Sequence, residues 1–161
     1  MKAQRVAAWA VGVLVVAFAA AAVADDDGAK KAAADEMKKF AGTWAPVAVE
    51  VNGMKLDEEM IKELRYVFKE DGTWKLTAGD NTVADGTFTV DPTKKPKTID
   101  YKIVNSFQEE DKGKTSLGIY ELDGDKLKVC RCMPAKAKRP DAFAAPADSM
   151  NLISEFKREK P

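Results

Sequence analysis

After Gly42 the chain alternates apolar and polar positions with a period of two, the spacing of a strand with one buried face. The alternation predicts eight strands. The first runs from Thr43 to Val51 and stops at Asn52-Gly53, a hairpin turn pair. The second, Arg65 to Lys69, stops at Asp71-Gly72. The third puts Trp74, Leu76 and Ala78 on one face and ends at Gly79-Asp80-Asn81. The fourth sets Gly86, Phe88 and Val90 against Asp85, Thr87 and Thr89. After the Pro92 to Pro96 break, the fifth sets Ile99, Tyr101 and Ile103 against Thr98, Asp100 and Lys102. A charged loop, Glu109 to Lys114, leads to the sixth, Thr115 to Leu122. Asp123-Gly124-Asp125 turns into the seventh, Lys126 to Cys132, and the eighth is Leu152 to Arg158. Helical spacing occurs twice: Asp35 to Phe40, where Met37 and Phe40 share a face and Gly42 ends the helix, and Leu56 to Leu64.

Short strands joined by hairpin-length turns predict an antiparallel meander, and eight strands lose their exposed edges by closing on themselves. The expected fold is therefore all-β, an eight-stranded up-and-down barrel with short helices near the N-terminus and after the first strand. No repeat or second domain interrupts it.

The first residues follow another pattern. Lys2 and Arg5 precede an apolar run from Val6 to Val23, and Ala22-Val23-Ala24 stands before Asp25-Asp26-Asp27. A basic start, an apolar run and a small-residue site predict a signal peptide over residues 1–24, cleaved rather than kept as a membrane anchor. The expected destination is the periplasm or the exterior. No Cys follows the site to carry a lipid. Residues 25–38, small and charged, are expected as a flexible lead, and 39–161 as the barrel domain.

Cleavage leaves 137 of the 161 residues, one domain in size. Loss of Lys2 and Arg5 leaves 24 basic against 26 acidic residues, a net charge of −2. That balance gives no basic patch for nucleic acid. The sequence has no His, which excludes Ser-His-Asp, Cys-His and His-bearing zinc sites. No acidic pair or nucleophile motif replaces them. The expectation is a non-enzyme with no catalytic residue, no cofactor and no metal.

Trp44, Phe68, Trp74, Phe88, Tyr101 and Tyr120 are candidates for the barrel interior, which either packs solid or holds one small ligand. Of these, Phe68, Trp74, Phe88, Tyr101 and Tyr120 are the candidate ligand-binding residues. Met133 to Met150, with Pro134, Pro140 and Pro146, is long for a link. It is expected over one barrel end, either as a lid in which Arg139, Pro140 and Phe143 close on a ligand with Phe143 as anchor, or as a packed plug. Cys130 and Cys132 share a strand face and are open to three readings: inert thiols, a strained disulfide, or a soft-metal pair. Glu50 falls on the face of Trp44 by alternation. An inward carboxylate there needs Arg158 or Lys75 as partner, unless Glu50 sits at a bulge or rim.

Two resemblances overlay these readings. A short helix, Gly42-Thr43-Trp44 entering the first strand, and Arg158 in the last strand are similar to lipocalin-like barrels. That resemblance implies that Arg158 lies over the Trp44 ring and closes one barrel end. More closely, the chain from Lys39 to Lys160 resembles a small domain found in paralogous copies in planctomycete bacteria. The motifs are Gly42-Thr43-Trp44, Gly86-Thr87-Phe88, Asp91 to Asp100, Gly118 to Asp125, Leu127 to Cys130, Arg139-Pro140 with Phe143, and Lys157 to Lys160. This resemblance implies fold and compartment and assigns no chemistry; Cys132 is an addition to its usual single Cys. Together the readings predict an exported, monomeric lipocalin-like module that binds a small hydrophobic molecule and, after signal cleavage, no membrane. The alternative is a protein-interaction or inhibitor module with a filled barrel, acting through its end loops.

Overall fold

Nine antiparallel strands form one sheet, eight of them in an up-and-down meander, in the computed structural model, which describes residues 26–134, 136 and 138–160. The predicted leader, 1–24, lies outside these residues. Helix α1 (Asp26–Phe40) leads into β1 (Gly42–Val51), the two-residue β2 (Met54–Lys55) and α2 (Glu58–Ile61). The meander continues through β3 (Leu64–Phe68), β4 (Thr73–Ala78), β5 (Asn81–Asp91), β6 (Lys97–Ser106), β7 (Thr115–Asp123), β8 (Lys126–Cys132) and β9 (Asn151–Arg158). A single 3-10 turn, Glu109–Asp111, lies between β6 and β7. Pairing of β1 with β9 closes the sheet, so the eight predicted strands form an up-and-down lipocalin-like barrel. The short β2 is a spur on the end of β1, formed by the Asn52-Gly53 turn with φ of 51° and 87°.

The flexible lead is corrected. Residues 26–38 belong to the 15-residue α1. Ala29 and Ala32 to Ala34 are strong helix formers, and the helix is tied down at its far end. Phe40 is fully buried inside the barrel, and Met37 packs against the core. Glu36, 4 % exposed, accepts hydrogen bonds from Lys39 (2.8 Å), Lys97 (2.7 Å) and the Tyr120 hydroxyl (3.1 Å). Burial alone would raise the Glu36 pKa, but the hydrogen bonds and charges of Lys39 and Lys97 outweigh it and hold the carboxyl below its ordinary range.

One end of the barrel is closed by Arg158. Its guanidinium lies 4.1 Å from the centre of the fully buried Trp44 ring. It also donates to the carbonyls of Ala41 (2.5 Å) and Lys39 (2.6 Å), and to Asp125 (3.1 Å). Trp44 Nε1 donates to the Phe40 carbonyl at 2.8 Å. Indole and guanidinium thus satisfy the last carbonyls of α1, which have no partner within the helix. Gly42 turns the chain at φ 130°, and a Cβ there would lie 3.0 Å from Arg158 Nη1. Glycine is what lets β1 leave the helix beneath the arginine.

Behind this clasp the barrel is solid. Phe40 meets Phe68 at 5.5 Å, Phe88 at 5.7 Å and Tyr120 at 5.0 Å between ring centres. Phe68 and Phe88 meet edge to face at 5.0 Å.

Glu50 does not share the face of Trp44. A register shift between Pro46 and Ala48 inserts one residue, so Trp44 pairs across from Arg158 and Pro46 from Phe156, but Glu50 pairs from Ile153. One extra residue in a period-two element swaps faces, and Glu50 points outward, as its bulge reading allowed.

Arg158→Met is expected to cost about 1–3 kcal/mol in urea unfolding, because it removes the donors to the Ala41 and Lys39 carbonyls and to Asp125 as well as a ring contact. An unchanged midpoint would show that the clasp is ornamental. The Glu36 pKa is depressed in the fold, so its stabilising share is complete above the ordinary value of 4.5 and is lost as pH falls below it. Glu36→Gln should lower stability at neutral pH by about 1–3 kcal/mol and flatten the acid limb of a stability–pH curve. The same acid limb in the variant would remove Glu36 from that role.

Candidate functional site

The other end of the barrel remains open. It is formed by the end of β4, the start of β5, the end of β6 with the loop after it, and the end of β8. A cavity of about 250 Å³ opens there. Its wall comes from inward-facing positions: Trp74 and Leu76 on β4, Ala84 on β5, Ile103 on β6 and Arg131 on β8. Phe107, Gln108, Asp111 and Pro134 form the rim.

Small residues make the space. Ala84 pairs across from Leu76 and Ser106, so no bulky side chain crosses from β5. Gly86 is forced by close approach, since a Cβ would lie 1.9 Å from the Lys102 carbonyl oxygen. Gly118 pairs across from Arg131, and a Cβ there would lie 3.0 Å from the Arg131 Cβ.

Two polar groups enter this apolar wall. Arg131 alternates with Leu127 and Val129 on β8, which places its side chain in the barrel. Its Nη1 donates to Ser116 Oγ at 3.2 Å, and its guanidinium lies 5.6 Å from the Tyr101 ring centre. Ser116 is held by donating to the Cys132 carbonyl at 2.5 Å. Among the described residues Arg131 makes no ion pair, unlike Arg139 and Arg158. Trp74 is 5 % exposed and its Nε1 has no hydrogen-bond partner. Burial pushes the neighbouring Tyr101 hydroxyl upward in pKa, against the Arg131 charge that pulls it down, so it stays protonated at neutral pH.

The predicted ligand residues divide into three groups. Trp74 lines the cavity, and Tyr101 stands behind it, edge to face with Trp74 at 5.4 Å. Phe68, Phe88 and Tyr120 belong to the solid half with Phe40. Phe143 is on the outer wall, 5.9 Å from the Lys128 ammonium. The sequence reading passed over Arg131 and Ser116. The signal was present: a charge in the apolar register of a strand whose other inward residues are Leu127 and Val129.

The Met133–Met150 link touches the rim at Pro134, and from Arg139 onward it is held to the outer wall rather than closing on a ligand or filling the barrel. Arg139 makes a two-pronged pair with Asp100 (2.6 and 3.1 Å) and donates to the Gly118 carbonyl at 2.6 Å. The Ala144 carbonyl accepts from Cys130 Sγ at 3.4 Å and Asn151 Nδ2 at 3.2 Å. At its far end the link reaches the turn after β1, where Met150 N donates to Asn52 Oδ1 at 3.0 Å. Asp100 and Cys130 face outward, so the segment is a strap across the outer wall. Its ion pair and carbonyl bonds hold it to strands rather than over a barrel mouth.

The strap decides the state of the thiols. Cys130 and Cys132 share a face and are free and fully buried beneath it. Burial pushes the Cys130 thiol upward, against the Ala144 carbonyl contact. Among the described residues no three metal-ligating side chains converge, and no helix is long and apolar enough to cross a membrane.

Comparison with protein-family models, curated proteins and solved structures finds no match to this chain. Its chemistry rests on the geometry.

Arg139→Ala should free the strap and speed labelling of Cys130 by a soluble disulfide reagent about tenfold, the effect of ~1.4 kcal/mol on a local opening. An unchanged labelling rate would mean that Arg139 does not hold the strap down.

Proposed function

We propose that this chain is an exported, monomeric lipocalin-like binding module that takes a small apolar molecule into the open end of its barrel. One observation carries the reading: a half-solid barrel has a cavity of about 250 Å³ at the end opposite the Arg158 clasp. Ligand pockets are usually ~300–1,000 Å³, so the fit is to a small molecule rather than a long lipid. Export is supported by the leader pattern, and the planctomycete domain resemblance agrees with it. The absence of His and of any assembled nucleophile supports a non-catalytic role.

The rival reading, a protein-interaction or inhibitor module, draws on Phe107, which is 88 % exposed on the cavity rim. The same residue serves the first reading as an apolar lip.

Titration calorimetry of the mature chain with a set of six-carbon neutral, acidic and basic molecules tests the proposal. At least one should bind saturably with one-to-one stoichiometry. Ala84→Phe, which fills the cavity, should abolish that binding while the thermal transition persists. No saturable binding across the set would remove the ligand-binding reading and leave the interaction module.

A further inference from the structure

The cavity wall holds a guanidinium that, among the described residues, is paired with no carboxylate. Trp74 lines the same wall, with its Nε1 sealed from solvent. Arg131 is always cationic, half-buried and without a carboxylate. Its Ser116 bond and its place over Tyr101 orient it without neutralising it. Gly118 leaves its stem room to stand in the wall.

Resting on the binding reading above, we propose that the barrel mouth is a site for a small organic anion. The ligand is a monocarboxylate whose head takes hydrogen bonds from Arg131 and whose apolar body lies against Leu76, Ala84 and Ile103. A planar guanidinium is matched to a carboxylate, and charge-assisted bonds of this kind are about twice as strong as neutral ones. The volume of about 250 Å³ corresponds to roughly eight waters at ~30 Å³ each. That suits a short chain or single ring of about eight non-hydrogen atoms, such as hexanoate. Asp111 on the rim opposes an anion. It is half-buried and makes no ion pair with Arg131 among the described residues, so it weakens an anion's hold without neutralising the guanidinium.

Hexanoate and 1-hexanol share a body and differ in the charge of the head, so the pair separates this proposal from the general one. Calorimetry on the mature chain at neutral pH should give hexanoate at least about tenfold tighter than hexanol, a preference set by the charged pair. Arg131→Met should reduce that preference to within about twofold and leave hexanol unchanged, because the replacement keeps the apolar stem. Asp111→Asn should strengthen hexanoate about two- to threefold, and added salt should weaken it, without effect on hexanol. Equal binding of the two by the wild type overturns the anion site and spares the apolar-ligand reading. Binding of neither overturns both. If Arg131→Met fails to fold, the wild-type ratio and the Asp111→Asn response decide: an unchanged hexanoate affinity in Asp111→Asn, or a ratio near one, overturns the proposal.

Discussion

The guanidinium of Arg158 is the contact on which the rest of the barrel depends. It joins the last strand, the last turn of α1 and the indole that opens the first strand. Closing a sheet requires its first and last strands to meet in one register, and a helix end buried against a barrel exposes carbonyls that need donors. One planar group with several donors answers both needs at once. Gly42 is its complement, since only a residue without a side chain turns there without displacing the arginine. With the end fixed, Phe40 is held in the barrel and the aromatic rings of β3, β5 and β7 pack on it.

The same economy governs the two places where simple alternation fails. At Pro46–Ala48 an extra residue exchanges the faces of β1, so a carboxylate that alternation would bury reaches solvent instead. An outward Glu50 needs no buried partner, and the interior is spared an ion pair whose desolvation its attraction would have to offset. On β8 the outer face holds Cys130 and Cys132, apolar in character. The strap covers them, held by the Arg139–Asp100 pair at one end and by Asn52 at the other. The outer wall there has a second, thin core, and the thiols are inert because they lie in it.

The open end runs against this solidity. Aromatics fill the clasped half, whereas Ala84, Gly86 and Gly118 thin the wall toward the mouth. A guanidinium stands there that, among the described residues, has no carboxylate partner. In a small barrel each unmet donor is a measurable fraction of total stability. Unsatisfied polarity confined to one cavity is how a binding site differs from a packing defect, because a ligand can return what the empty fold forgoes.

Much of this was legible along the chain. Alternation located all eight barrel strands and the Gly-bearing turns set the meander, because period and turn chemistry are local properties of a few adjacent residues; the closed end at Trp44 and Arg158 was implied only by the lipocalin-like resemblance. Residues 26–34 became helix because distant contacts of Glu36 and Phe40 anchor a segment that composition alone leaves undecided. Glu50 changed faces because a bulge is a fact about pairing, not about one strand. Phe143 went outside because a proline-rich link carries no period from which to read a direction. Arg131 stood in an apolar register, visible in principle, but its meaning needed the neighbours that only folding supplies. The local pattern decided which residues face the interior. The tertiary structure decided which end of that interior is full and which is empty, since a cavity is set by side chains arriving from strands far apart in sequence.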